Sequence, residues 1–297
     1  MATLLIAAAI GLAVFLVQKE KKKEDKNLAD LVNPLMGTDS EFRLSTGNTY
    51  PAIALPWAMN FWTPQTRAMG NGWGYTYKDF KIMGIKQTHQ PSPWINDYAA
   101  FSLMAETGKI KTAENQRASW FSHKAEKATP YYYSVYLADY DVTAEVTPTE
   151  RAAIFRFTFP ESDSSFILID GFHEGSMVKI IPSERKVIGY CRNNSGGVPE
   201  NFHNYFVAVF DREFTSTHTW QNDTLNVNSV EAKSSHAGAV LGFKTSRGDK
   251  VHVKVASSFI SPEQAMLNLS REIGDNDFEA VKENARNEWN NQLGKVT

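Results

Sequence analysis

Apolar and polar residues alternate along Ala153–Phe159 (AIFRFTF), which sets Phe155, Phe157 and Phe159 on one face and Ile154, Arg156 and Thr158 on the other. A period of two with one more polar face predicts a half-buried antiparallel strand. Similar β-branched and aromatic runs fill Tyr131–Thr149, Ser164–Phe172, Met177–Arg192, Asn204–Phe214, His236–Thr245 and Asp249–Ile260. Turn chemistry separates them: PESDS, the paired glycines of NNSGG, QNDT and SRGD. Many short strands divided by turn signals predict an all-β fold, a large antiparallel β-sandwich, followed by C-terminal linker helices.

The pattern changes period after Ile260. Ser261-Pro262-Glu263 supplies an N-cap serine and a first-turn proline. Beyond a DND break, Phe278, Val281, Ala285, Trp289 and Leu293 recur at helical spacing and form one apolar stripe. Such a helix must lie against something, either the sandwich or a further domain.

At the other end, Thr3–Val17 is an uninterrupted apolar run of fifteen residues, and the lysine-rich KEKKKEDK follows. The run is short for a membrane span of about 20 residues and suits a signal-peptide core. Residues 1–27 are therefore expected to be a signal peptide or short anchor plus spacer. This predicts a secreted, periplasmic or cell-surface protein, membrane-anchored by residues 3–17 if they are retained. Residues 28–260 are expected to form the sandwich, and 261–297 the linker helices.

Composition narrows the function classes. A net charge of −2 gives no electrostatic footprint for nucleic acid. One cysteine, Cys191, excludes an internal disulfide framework and a cysteine-based zinc site. The seven histidines include no i, i+4 pair. Asp275, Asp277 and Glu279 lack the glycine and terminal carboxylate of a calcium loop. No metal ligand and no catalytic residue is assigned.

The stretch from Gly47 to Phe101 stands out, because it holds four of the seven tryptophans together with five prolines. Aromatic rings on stiffened, irregular backbone suit the flat C–H faces of sugars, and they equally suit a β-domain core. Within it, QTHQPSPWINDY surrounds Trp94 with His89, Gln90, Asn96 and Asp97. This is either an oligosaccharide subsite or a turn pinned by its own side chains. A second segment, CRNNSGGVPENF (Cys191–Phe202), reads mainly as a plain loop.

The blocks VNPLMGTDS, TGNTYPAIALPWAMNFWTPQT, GNGWGYTY, QTHQPSPWINDY, TPTERAAIFRFTFP and NNSGGVPENFHNYF resemble the N-terminal region of family 92 glycoside hydrolases, the calcium-dependent exo-acting α-mannosidases. The resemblance implies a sandwich, linking helices and an (α/α)6 catalytic domain, with terminal α-mannose removed by inversion at their junction. It places the acid, the base and the calcium ligands in the helical domain, so this chain alone is expected to be inactive. It implies a mannose-containing glycan as substrate and a helical catalytic domain as partner. Substrate contacts then fall to Trp94, with His89, Gln90 and Asp97 around it and Trp73 beside them. Where many relatives read Gly-His-Thr-Tyr-Pro, this chain has Asn48 in place of the histidine. The alternatives are a stand-alone carbohydrate-binding protein and an inactive truncated product.

Overall fold

The computed structural model describes residues 27–39, 49–69, 74–90, 98–222 and 224–295. Trp94 and Asp97, Trp73, Asn48 and the apolar run 3–17 lie outside the described residues.

Within the aromatic stretch and just beyond it come β1 (Phe61–Gln65), β2 (Lys81–Ile82), β3 (Gly84–Thr88) and β4 (Ser102–Thr107), then one helical turn, α1 (Glu114–Arg117). β5 (Ser119–Trp120), β6 (Lys127–Thr129), β7 (Tyr132–Leu137), β8 (Val142–Pro148) and β9 (Ala152–Thr158) follow. Next are β10 (Ser162–Asp170), β11 (Ser176–Ile181), β12 (Lys186–Cys191) and β13 (Asn204–Phe210). The last strands are β14 (Ser216–Gln221), β15 (Thr224–Val227), β16 (Glu231–Ser234), β17 (Ala237–Thr245) and β18 (Lys250–Ser258). The helices α2 (Pro262–Glu272) and α3 (Phe278–Leu293) close the described chain.

The strands form two large antiparallel sheets. One runs β1-β3-β4-β10-β17-β14-β15, the other β16-β11-β12-β13-β18-β9-β8-β7-β6. Between them lies the main core, in which Phe155, Phe157 and Phe159 are buried with Trp62, Phe101, Phe206 and Trp220. The edge of Trp62 meets Phe155 at 5.0 Å, and Phe101 stacks on Phe206 at 4.5 Å, so aromatic side chains from the two sheets interlock.

The opposite face of β9 is more covered than its alternation suggests. Ile154 is buried in a second core with Tyr132, Leu269, Ile273, Phe278, Val281 and Ala285, because α2 and α3 pack across the outside of the nine-stranded sheet. Arg156 stays on this face by bonding Glu145 at 2.6 and 2.7 Å and lying over the Phe278 ring at 4.0 Å. Both helices start as the residues dictate. Ser261 Oγ accepts from Gln264 N at 3.1 Å, and Asp277 Oδ1 accepts from Ala280 N at 2.8 Å.

The run Tyr131–Thr149 divides into β7 and β8 around a turn where Asp141 takes a φ of 52°. Aspartate tolerates the left-handed region better than most residues. No helix among the described residues is long and apolar enough to cross a membrane.

Candidate substrate-binding site at the sheet ends

The aromatic stretch serves two purposes. Tyr50, Trp62, Tyr75 and Phe101 are buried core, whereas Trp57 is 92% exposed and Phe80 54%. The residues available for recognition are thus a minority of the rings.

His89 and Gln90 leave the end of β3 and line an open cavity of about 340 Å³ with Tyr98, Val198, Phe202 and Phe259. Its wall is a run of ring contacts. His89 lies 4.9 Å from Phe259, Phe202 stacks on Phe259 at 5.5 Å, and Tyr98 meets Phe202 edge-on at 6.3 Å. Flat apolar faces beside an imidazole and a carboxamide can hold a sugar ring and read its hydroxyls.

The loop read as plain, Cys191–Phe202, belongs to this cavity. Val198 and Phe202 line it. Asn193 clamps the neighbouring segment: its Nδ2 donates to Ala100 O at 2.7 Å and its Oδ1 accepts from Ala100 N at 2.9 Å. The Tyr98 hydroxyl donates to Gly196 O at 3.3 Å. The φ angles of Gly196 and Gly197, 95° and 78°, explain the glycine pair, since side chains are strained there.

Beneath His89 the two sheets are joined by buried amides. Gln87 in β3 donates from Nε2 to Asn60 Oδ1 at 2.9 Å, and its Oε1 accepts from Asn204 Nδ2 of β13 at 2.9 Å. Asn60 Nδ2 reaches Arg151 O at 2.8 Å and Ser257 Oγ of β18 at 2.9 Å. Asn268 of α2 continues the chain by donating to Ser257 O at 2.9 Å. All five side-chain amides and hydroxyls come from residues at most 6% exposed, so their mutual pairing is what makes burial tolerable. None of Asn60, Tyr98, Asn204 or Phe259 was singled out by the sequence. The one available signal was Gln87, two residues before His89 and hence on the same face of an extended strand.

The described residues lining the cavity include no carboxylate. This surface can bind and orient a sugar, but it lacks the pair of carboxyl groups that inversion at a glycosidic carbon requires. Among the described residues no group of three or more His, Cys, Asp or Glu could hold a metal ion, so they do not fit a calcium site.

The strongest charge cluster lies elsewhere and is structural. Asp170 at the end of β10 meets Arg117 Nη1 at 2.6 Å and His236 Nε2 at 2.7 Å. Burial pushes the Asp170 carboxyl up, but Arg117 and the His236 bond outweigh it and hold the group down at about 2. For His236 burial acts downward, and the Asp170 bond more than reverses it, so the imidazole is raised.

Comparison with known proteins places the fold. Residues 31–258 match the glycosyl hydrolase family 92 N-terminal domain. The structure of an inverting family 92 mannosidase from Bacteroides thetaiotaomicron is 45% identical, superposes with a TM-score of 0.88 and is matched over 93% of this chain and 37% of its own. A family 92 α-mannosidase from the same organism is 32% identical, with a TM-score of 0.82 over 92% of this chain and 38% of its own. A protein of Arthroderma benhamiae described as an uncharacterized secreted glycosidase is 23% identical, across 95% of this chain and 40% of its own length. The chain therefore spans well under half the length of these relatives. With the match extending from the start of the described residues to the end of β18, and a sandwich that superposes on two solved members, the chain belongs to the family of glycosyl hydrolase family 92 N-terminal domains.

Proposed function

We propose that this chain builds the substrate-holding side of an exo-acting, inverting α-mannosidase that trims terminal α-mannose from mannose-rich glycans. The aromatic cavity at the sheet ends carries this reading, and its membership of a mannosidase family supports it. His89 and Gln90 contact the sugar on the leaving-group side. Trp94 supplies the stacking face, Asp97 a hydrogen-bond acceptor and Trp73 a further ring.

The acid that protonates the glycosidic oxygen, the base that activates water and the calcium ligands come from a helical catalytic domain outside residues 1–297. Residues 28–260 then act as the sandwich and 261–297 as the linker toward that domain. Export through residues 1–27 fits a glycan substrate outside the cell, and the Arthroderma relative is described as secreted.

The test is calorimetric titration of α-linked mannobioses onto the 297-residue chain, with mannose release assayed in parallel. Weak binding that His89→Ala and Phe259→Ala abolish, without release of mannose, is the expected result. Absence of binding overturns the site, and mannose release by the chain itself overturns the division of labour. Tight binding retained without any catalytic partner would instead favour a stand-alone carbohydrate-binding protein.

A further inference from the structure

The amide network under the cavity determines more than packing. Backbone carbonyls can only accept, and two of them fix the orientation of the side chains they touch. Asn60 faces Arg151 O at 2.8 Å, so its Nδ2 is on that side and its Oδ1 is turned to Gln87. Asn204 faces Ala99 O at 2.8 Å, so its Nδ2 is on that side and donates its second proton to Gln87 Oε1. Both neighbours demand the same placement of the Gln87 amide. Its Oε1 accepts from Asn204, and its Nε2 donates to Asn60.

Gln87 Nε2 also lies 2.8 Å from His89 Nε2. An amide nitrogen has no lone pair to accept with, so in this contact it must donate. His89 Nε2 is then the acceptor, and the ring proton sits on Nδ1. The tautomer of a histidine is ordinarily a matter of choice at this level of detail. Here it follows from two backbone carbonyls, in β9's approach (Arg151) and before β4 (Ala99), through three buried amides.

We propose that Gln87 is a positioning residue that holds His89 as the neutral Nδ1–H tautomer, so that the cavity wall meets an acceptor oxygen of the glycan with a donor. The inference rests on the cavity being a glycan site. The ring is fixed in plane as well as in protonation, since Phe259 packs against it at 4.9 Å. The recognised chemistry is an ether or hydroxyl oxygen beside a flat apolar sugar face. The network also explains why an uncharged amide occupies position 87. A carboxylate there would face Asn60 Oδ1 and would call the imidazole proton to Nε2.

The experiment uses the full chain labelled with ¹⁵N at histidine, observed by long-range ¹H–¹⁵N correlation at about pH 8, above the ordinary imidazole range. Wild type should show a protonated Nδ1 and an unprotonated Nε2 at His89, and Gln87→Glu should reverse them. An α-linked mannobiose should bind Gln87→Glu roughly tenfold more weakly, as expected for one misdirected hydrogen bond. His89→Asn, whose amide can place a donor near the Nδ1 position, should keep more affinity than His89→Gln.

Wild-type His89 carrying its proton on Nε2 overturns the inference without needing any variant to fold. A tautomer unchanged in folded Gln87→Glu overturns it too. If the tautomer is Nδ1–H and no variant or wild type binds mannobiose, the glycan role fails and the proposed function fails with it, whereas binding with the opposite tautomer sinks only the role given to Gln87.

Discussion

Trp289 donates its indole N–H to Ala54 O at 2.7 Å, joining the terminal helix α3 to the segment that leads into β1. The helix folds back on the sandwich through Phe278, Val281 and Ala285, and Arg151 anchors α2 beside it by bonding Glu272 at 2.5 Å. Replacing Trp289 with Phe keeps most of the apolar contact but leaves the carbonyl without its donor. Stability should fall by about 1 kcal/mol, the net worth of one such bond. Urea unfolding followed by fluorescence checks this, and an unchanged midpoint would mean that water replaces the indole at no cost.

Gly238 sits directly across from Trp220 in the β14–β17 ladder. A Cβ added to it would lie 2.0 Å from Trp220 Cζ2, and the indole is fully buried with no room to withdraw. Gly238→Ala should therefore cost about 2–3 kcal/mol through overpacking. Pairing it with Trp220→Leu should recover part of that loss, giving a less-than-additive double mutant. Strict additivity in chemical denaturation would show that the clash is not the cause.

How much of this could be read beforehand depends on the range of the interaction. The two-residue period of Phe155, Phe157 and Phe159 and the stripe of Phe278, Val281 and Ala285 are local signals, and each residue is buried where its pattern places it. Sorting Trp57 from Trp62 is beyond such signals. Both lie in one Pro-rich segment, yet one is 92% exposed and the other is core, because only the pairing of Trp62 with Gln87 across β1 and β3 turns it inward. His89 and Gln90 stood out by residue type, but their polar support did not. Gln87 meets Asn60 across 27 positions and Asn204 across 117, and no local pattern links residues that distant. Phe259 reaches the same cavity from the end of β18 for the same reason.

The Asp170 cluster should set the acid limit of stability. Asp170 is held at about 2, below its unfolded value, so its contribution is complete above about pH 4 and is lost as pH falls toward 2. His236 is raised, so its contribution is present below the ordinary imidazole value and is lost as pH climbs through the raised one. Asp170→Asn should cost about 3–5 kcal/mol near neutrality, because Arg117 would remain buried without its counter-charge. Unfolding midpoints measured across pH would show the acid slope shrinking in that variant. A slope identical to wild type would assign acid sensitivity to other carboxylates.

Glu106 works in the opposite sense. Its side chain is buried in β4, Oε2 accepts from Lys111 N at 3.0 Å, and Oε1 has no hydrogen-bond partner. Burial pushes its carboxyl up to about 7, although the Lys111 amide and the charges of Arg117 and Lys111 pull the other way. A folded value above the unfolded one means that the native state holds the proton longer, so stability declines as pH rises from about 4.5 to about 7 and is level beyond. Glu106→Gln keeps an acceptor for Lys111 N and removes the ionisation. The variant should match wild type near pH 4.5 and exceed it near pH 8 by on the order of 2 kcal/mol. Denaturant titrations at those two pH values decide the point: a variant weaker than wild type at the higher pH would mean that the ionised carboxylate, held by Arg117 and Lys111, is the form that the fold prefers.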